Sequence, residues 1–255
     1  MPSSNRSPRL VYFDVGETLI RPRKPFGDLL REIAHEMSVD VPEAAFDGLA
    51  RHIDGRVIER SRRGVPFTFP PETSQRFWFE TYEGHLRQFL DPLDVDRLVR
   101  VFLDVLSSPQ GYELYPDTRV TLDRLRRRGY RLGIISNWEV WLPTLLTAVG
   151  IADAFDQVVM SGICGYEKPD QRIFTHALME SGYRPEEVVY VGDRPGHDVE
   201  PALDVGITPI LLDRDARYPA DARFTAISSL HDLVLALDDT KDWLSSPGGP
   251  ITGQA

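Results

Sequence analysis

The sequence predicts an α/β fold, a doubly wound parallel sheet, because two textures alternate along most of the chain. One texture is a short, continuously apolar run, as expected of a parallel strand buried on both faces. Such runs predict five strands, at residues 10–13, 132–135, 157–160, 188–191 and 209–212. The other has apolar residues at helical spacing and stops at or near a glycine. It predicts helices at 116–128, 138–149, 170–181 and 198–205. This alternation indicates a parallel sheet with helices on its faces.

Residues 21–110 interrupt the alternation, and we predict no strand within them. Helical periodicity recurs there in four segments, at residues 26–37, 43–60, 73–90 and 93–106. We therefore predict an α-helical domain inserted into an α/β core. The predicted core comprises residues 9–20 and 111–240, the helical cap residues 21–110, and the flexible tails residues 1–8 and 244–255.

Composition argues against several classes of protein. The chain of 255 residues contains no stretch approaching the about 20 apolar residues of a membrane helix, and residues 1–8 lack the apolar segment of a signal peptide. The single cysteine, Cys164, excludes an internal disulfide and fits a reducing compartment. The net charge of −10 argues against general nucleic-acid binding. We expect a cytoplasmic monomer or homodimer that binds neither nucleic acid nor membrane.

Polar residues lie beyond the ends of four predicted strands, where open α/β sheets bind their ligands. These segments are residues 14–19, 136–137, 167–170 and 192–198. Each is ambiguous alone, because an Asp after a strand is usually a turn or helix-capping residue. Ser136 or Asn137 could cap helix 138–149, for example, and Asp170 could cap the next helix. Four such segments in order predict one shared site.

In these segments the chain resembles the haloacid dehalogenase-like (HAD) hydrolase superfamily, in the branch with a helical cap inserted after the first motif. The matching pieces are residues 11–19, 134–137, 168–170 and 191–198. The resemblance implies a Rossmann-like core. It also implies a Mg²⁺-dependent phosphatase that acts on a small phosphorylated metabolite.

The resemblance assigns the nucleophile and the metal ligands. Asp14 would attack phosphorus and form an aspartyl-phosphate, which water then hydrolyses. An anionic nucleophile and an anionic phosphoryl group repel each other, so the reaction needs cations. Mg²⁺ prefers hard oxygen ligands. Asp14, Asp193, Asp198 and the backbone carbonyl of Gly16 would supply them.

The remaining predicted site residues bind the phosphoryl group. Lys168 would add a second positive charge beside Asp14 and keep that carboxylate ionised. Ser136, Asn137 and Lys168 would contact the phosphoryl oxygens, together with the amides at the start of helix 138–149.

One position departs from the family's pattern and leaves alternatives open. Most phosphatases of the family carry a second Asp two residues after the nucleophile, as a general acid, and this chain has Gly16 there. The acid could come from another residue: Glu17, His197, His35, His52 or His85. The leaving group could instead need little protonation, or the protein could be a weakly active or non-catalytic binding protein.

The family's dehalogenases give a further alternative, a 2-haloacid dehalogenase-type hydrolase. They also lack the second Asp, and they need no metal. Asp193 and Asp198 argue against this alternative, because two carboxylates beside Asp14 would repel it unless a cation lay between them.

Two sets of residues in the predicted cap bear on the substrate. A basic cluster is either a solvated face or a grip for a substrate anion: Arg56, Arg60, Arg62 and Arg63. An aromatic set is typical of cap core rather than of a substrate platform: Phe67, Phe69, Phe77, Trp78 and Phe79.

Overall fold

A six-stranded parallel sheet forms the centre of the structure, a computed structural model that describes residues 8–244. Its strands are β1 (Leu10–Phe13), β4 (Arg131–Ser136), β5 (Gln157–Met160), β6 (Val188–Gly192), β7 (Thr208–Leu212) and β8 (Thr225–Ile227). They lie in the order β5-β4-β1-β6-β7-β8, and every neighbouring pair is parallel. The predicted fold class and five predicted strands are confirmed. The three-residue β8 was not predicted, because Thr225 and Ala226 are exposed and give no apolar run.

Helices cover both faces of the sheet. They are α5 (Thr118–Arg127), α6 (Leu142–Ala148), α7 (Ser161–Cys164), α8 (Gln171–Ser181), α9 (Glu200–Asp204) and α10 (Leu233–Leu244). Successive β1 side chains point to opposite faces. Val11 and Phe13 therefore pack with α5, α6 and α10, whereas Tyr12 packs with α8 and α9. The sheet is thus buried on both sides, as its continuous apolar runs predict.

Four helices lie between β1 and α5 and form what we term the helical insert, residues 26–106. They are α1 (Phe26–Glu36), α2 (Leu49–Arg62), α3 (Pro71–Leu86) and α4 (Pro92–Leu106). The insert has an apolar cluster of its own, which includes Leu30, Tyr82, Leu98 and Phe102. The domain boundaries given above stay a prediction. Of the predicted tails, all but Pro8 and Leu244 lie outside the described residues.

A short antiparallel ribbon joins the insert to the sheet domain. Strand β2 (Ile20–Pro22) leads into the insert and pairs with β3 (Tyr112–Leu114), which leads out of it. The expectation that residues 21–110 contain no strand is therefore wrong for Arg21 and Pro22. Each strand has only three residues and its partner lies about 90 residues away, so neither forms a local pattern.

The helix predicted at 138–149 begins only at Leu142. Pro143 occupies its first turn, where a residue without a backbone N–H and with a fixed φ is favoured. Residues 137–141 therefore form a loop, and neither Ser136 nor Asn137 caps the helix. Asp170 does cap α8, accepting a hydrogen bond from the Arg172 N–H at 2.9 Å. Within residues 8–244, no helix combines the length and the apolar character needed to cross a lipid bilayer.

A tyrosine crosses the neighbouring strand where that strand has no side chain. Tyr12 of β1 is in register with Gly133 of β4, which is in register with Gln157 of β5. The Tyr12 hydroxyl donates a hydrogen bond to the Gln157 side chain. A Cβ at position 133 would lie 2.4 Å from the Tyr12 ring, closer than atoms can pack. Glycine at position 133 of β4 therefore leaves the space through which Tyr12 of β1 reaches Gln157 of β5.

We predict that Gly133→Ala destabilises the protein by about 1–3 kcal/mol, the usual effect of overpacking a core. Gly84→Ala is the matched control, because that glycine is an exposed residue of α3 with open space around its Cβ position. The control should stabilise by up to about 1 kcal/mol, since alanine favours helix. Chemical denaturation measures the free energy of unfolding of both variants. Equal changes in this free energy would contradict the prediction.

Candidate active site

The structure brings together the four segments that follow predicted strands. Asp14 follows β1, Ser136 ends β4, and Asp193 follows β6. Carboxylate oxygens of Asp14, Asp193 and Asp198 all lie within 4.8 Å of one another, and all three residues are buried. The crevice lies beside β1, where the strand order reverses, which is where α/β sheets bind ligands.

Lys168 joins two of the carboxylates. Its Nζ donates to Asp14 Oδ1 and to Asp198 Oδ1, both at 2.6 Å, and lies 2.9 Å from the Tyr190 hydroxyl. The lysine is only 5% exposed, so its charge is stabilised by these partners rather than by water. Sequence analysis missed Tyr190, which looks like one more apolar residue of strand β6. The available signal was that a buried tyrosine must place its hydroxyl against a polar group.

Ser136 and Asn137 hold the site in shape. The Ser136 hydroxyl donates to Asp14 Oδ1 at 2.8 Å. The Asn137 side chain accepts from the Lys168 backbone N–H at 2.7 Å and donates to the Lys168 carbonyl at 2.9 Å. The Asn137 amide is thereby committed to the Lys168 backbone. Its predicted contact with a phosphoryl group stays a prediction.

Asp198 is positioned by a glycine and by the turn that follows β6. Its Oδ2 accepts from the Arg194 backbone N–H at 2.9 Å, while its Oδ1 binds Lys168. A Cβ at Gly192 would lie 2.4 Å from the Asp198 Cγ. Only glycine at 192 therefore leaves room for this carboxylate.

Burial dominates the protonation equilibria of the cluster. Burial raises the pKa of Asp14, although the charge of Lys168 acts in the opposite direction. Burial, together with the charges of Asp14 and Asp198, raises the pKa of Asp193 to about 7. Burial acts to lower the pKa of Lys168, but the two aspartates outweigh it and raise that pKa. The charge of Lys168 thus favours the ionised form of Asp14, as expected, but does not outweigh the effect of burial.

The donor set fits a hard divalent cation. Three carboxylates face one buried ammonium, and the side chain of Arg217, which is 45% exposed, reaches Asp193 at 3.4 Å. Two carboxylates at about 4 Å repel by about 4 kcal/mol at an effective dielectric of about 20. Carboxylate oxygens are the ligands that Mg²⁺ prefers. An ion among them would offset the mutual repulsion that adds to the effect of burial in raising the pKa values of Asp14 and Asp193.

A cavity of about 370 Å³ opens from this cluster and runs between the sheet and the helical insert. The sheet domain contributes a cluster of three aromatic rings to its wall, Tyr112, Trp138 and Trp141, whose centroids lie 5.4–5.9 Å apart. The insert contributes Phe67 and Trp78, among others. The aromatic residues assigned to cap core thus include two that face the cavity.

The basic cluster of α2 does not line this cavity. The Arg60 guanidinium donates to the Pro66 carbonyl at 2.9 Å, and both it and Arg56 lie over the Phe77 ring. Arg63 pairs with Glu59 on the surface of α2 at 2.8 Å. Arg62 and Arg63 are exposed, as a solvated face requires, whereas Arg56 and Arg60 are partly buried against Phe77.

Of the five residues that could replace the missing acid, two line the cavity and three do not. Glu17 lines the cavity, with a left-handed φ of 57°, and its carboxylate accepts from the Tyr115 hydroxyl at 2.6 Å. His197 also lines it, but burial and the charge of Arg194 lower its pKa to about 4, so the imidazole is neutral at neutral pH. The three histidines of the insert, His35, His52 and His85, lie outside the cavity lining.

Two carboxylates of the sheet domain bind the insert, and sequence analysis assigned neither of them this role. Glu139 accepts from the Ser74 hydroxyl at 2.7 Å and from the Trp78 indole at 3.1 Å. Glu167 accepts from the backbone N–H groups of Phe67 at 2.8 Å and Thr68 at 2.5 Å. Their partners lie 61 to 100 residues away in the chain, so no local pattern indicates them.

Known proteins share this architecture. Haloacid dehalogenase-like hydrolase domain-containing protein 3 of Mus musculus is 28% identical over 248 residues, covering 90% of this chain and 94% of that protein. The phosphoserine phosphatase of Thermus thermophilus is 39% identical over 132 residues, covering 49% of this chain and 51% of that protein. The solved structure of the putative HAD-hydrolase YfnB from Bacillus subtilis, bound to magnesium, has a TM-score of 0.73 and 16% identity. It covers 91% of this chain and 100% of that one.

The sequence model of the haloacid dehalogenase-like hydrolase family matches residues 8–206, most of the chain. The match spans β1 through α9, and with them all of the segments that meet at the aspartate cluster. The chain therefore belongs to the haloacid dehalogenase-like hydrolase family, and it is a hydrolase.

Proposed function

We propose that this hydrolase is a Mg²⁺-dependent phosphatase of small phosphorylated molecules, acting through an aspartyl-phosphate at Asp14. The observation that carries the proposal is the gathering of three buried carboxylates around Lys168 at the sheet edge. Similarity to a named phosphoserine phosphatase over half of the chain supports the same reaction class.

We propose that Asp14, Asp193 and Asp198 hold the ion, with the backbone carbonyl of Gly16 as a further ligand. Their oxygens suit a small hard cation, and their mutual repulsion favours one. When bound, Mg²⁺ supplies positive charge that offsets the negative charge of both the nucleophile and the phosphoryl oxygens.

Asp14 is oriented by its own hydrogen bonds. Ser136 and Lys168 both donate to Oδ1, while none of the side-chain hydrogen bonds found among the described residues involves Oδ2. An Asp14 oxygen attacks phosphorus, the bond from phosphorus to the leaving-group oxygen breaks, and the electron pair departs on that oxygen. Water then attacks the aspartyl-phosphate, releasing inorganic phosphate and restoring the carboxylate. The Lys168 ammonium stabilises the negative charge of the phosphoryl group throughout.

The helical insert acts in this proposal as a cap that excludes water from the cavity. Glu139 and Glu167 bind it to the sheet domain. The Thr68 hydroxyl donates to the Ser161 hydroxyl at 2.6 Å and adds a third contact. Exclusion of water strengthens each electrostatic interaction within the site.

We predict that Asp14→Asn lowers kcat for Mg²⁺-dependent hydrolysis of p-nitrophenyl phosphate by at least about 10³-fold, because an amide oxygen is a poor nucleophile. This substrate is chosen because its leaving group needs little protonation. Asp170→Asn is the matched control. It makes the same chemical change at the α8 cap, where Asn caps as well as Asp. Circular dichroism should show both variants folded.

Two results would contradict the phosphatase. Release of halide from 2-haloacids by metal-free protein, without phosphate-ester turnover, would establish the dehalogenase alternative. Inactivity of folded, Mg²⁺-loaded protein across a broad panel of phosphate esters would establish a non-catalytic binding role.

We predict a pH-dependent stabilisation by Mg²⁺. The pKa of Asp193 is about 7 in the folded protein and 3.8 ordinarily, so between these values the folded state retains a proton that the unfolded state releases. Metal-free stability therefore falls as pH rises through this window. A cation displaces that proton, so the rise in Tm on adding Mg²⁺ should be larger at about pH 8 than at about pH 5.

Thermal melts in EDTA and in excess MgCl₂ at the two pH values measure this difference. Asp193→Asn removes the titrating group, so it should abolish most of the pH dependence of the shift. A Mg²⁺ shift of equal size at both pH values in the parent protein would show that the cluster does not bind the ion.

We predict that Glu167→Leu raises KM for p-nitrophenyl phosphate by about 5- to 30-fold, because it removes the acceptor for the backbone of residues 67–68. Glu167→Gln is the control, since its amide oxygen still accepts from both N–H groups. Steady-state kinetics and limited proteolysis of the insert check the pair, and equal effects of the two substitutions would reject the contact as the cause.

A further inference from the structure

On the basis of the proposed phosphatase function, we propose that the substrate is a phosphate monoester of an uncharged phenol. Its ring would occupy the cavity between the helical insert and the sheet, with the phosphoryl group at Asp14. Three features carry this inference: the chemistry of the cavity wall, the charges of the insert, and the surroundings of Gly16.

The wall beyond the aspartate cluster is apolar on both sides. From the sheet domain, Tyr112, Trp138 and Trp141 face the cavity as a cluster of tilted and edge-on rings. The insert opposes them with aliphatic and aromatic side chains: Ile53, Val57, Trp78, Leu103 and Leu106. Offset and edge-on contacts with such rings favour a flat aromatic ligand. A volume of about 370 Å³ accommodates a ligand of one or two rings.

The insert offers no cation to a second anionic group. Among the described residues that line the cavity, the cationic side chains Lys168 and Arg194 both come from the sheet domain. Arg56, Arg60 and Arg63 make the contacts described above, and none of the four arginines of the basic cluster lines the cavity. The one charged residue that α2 contributes to the lining is the exposed Asp54. A substrate carrying a carboxylate or a second phosphate at this end would lose its hydration without gaining a partner.

The surroundings of Gly16 favour an acidic leaving group. Gly16 has no side chain that could donate a proton, and a Cβ at this position would be in van der Waals contact with Trp138 Cζ3, at 3.5 Å. Three carboxylates line the cavity outside the aspartate cluster. Glu17 accepts a hydrogen bond from Tyr115, Glu139 accepts from Ser74 and Trp78, and Asp54 is exposed to solvent. A phenolic alcohol has a pKa of about 10, against about 16 for a hydroxyl resembling water. Its anion therefore departs without a proton donor.

The test compares kcat/KM of the Mg²⁺-loaded parent protein for four esters: 2-naphthyl phosphate, phenyl phosphate, benzyl phosphate and phosphoserine. The naphthyl ester should exceed the phenyl ester by about 10-fold, the effect of burying a second apolar ring. Benzyl phosphate, which is apolar but has a poor leaving group, should fall at least about 100-fold below phenyl phosphate. Phosphoserine hydrolysed as well as naphthyl phosphate would overturn the inference and leave the phosphatase function intact.

A pair of adjacent α2 substitutions tests the cavity itself. Val57 lines the cavity, whereas its exposed neighbour Ile58 does not. Val57→Arg should lower the ratio of kcat/KM for naphthyl phosphate over phosphoserine by at least about 10-fold, because it places a cation among the insert residues that line the cavity. Ile58→Arg should leave the ratio unchanged, and equal effects would overturn the assignment.

Binding separates failure of this inference from failure of the phosphatase function. If no ester is hydrolysed, calorimetric titration with two non-hydrolysable phosphonates decides the ligand class. Tighter binding of naphthylphosphonate than of phosphonoacetate supports the aromatic ligand even in a protein that does not turn over. Equal binding, or a preference for phosphonoacetate, overturns it.

Discussion

The electrostatic repulsion among three buried carboxylates is the constraint on which the rest of the site depends. Asp14, Asp193 and Asp198 lie at the edge of the sheet, where one ammonium, Lys168, contacts Asp14 and Asp198 directly. Burial raises the pKa of Asp14 and Asp193, which shows that this ammonium alone does not compensate their charge. Neighbouring residues hold the charged side chains in these positions. Gly192 makes room for Asp198, and Asn137 fixes the backbone that carries Lys168.

The sheet and the helical insert divide the two tasks of such a site. Formal charge is concentrated at the carboxyl ends of the strands, where loops from β1, β4 and β6 converge at the reversal of strand order. The insert presents mainly apolar side chains to the same cavity, and Glu139 and Glu167 of the sheet domain bind it there.

The features of the fold and the site that could be predicted were those marked by a pattern of neighbouring residues in the sequence. Asp14, Ser136 and Asp193 were predictable together, because each follows a continuous apolar run and parallel strands bring those ends to one edge. Residues whose partners are remote in sequence were not predictable. Tyr190 contacts Lys168 across 22 residues, and Glu167 contacts Phe67 across 100. The start of α6 was misplaced because helical periodicity continued into the loop before Pro143.

Two absences affect the leaving group of the substrate. Gly16 provides no acid, and the described insert residues that line the cavity provide no cation. An apolar wall is compatible with a phosphate ester only if the negative charge stays at the aspartate cluster, because an anion moved into the cavity would be desolvated without a partner. A leaving alkoxide would carry concentrated charge into that wall, whereas a phenolate spreads its charge over the ring that the wall already contacts. The aromatic lining around Trp138 and the absence of a side chain at Gly16 are therefore two parts of one arrangement. Restoring an acid at position 16 without moving Trp138 would place a carboxyl group against the indole.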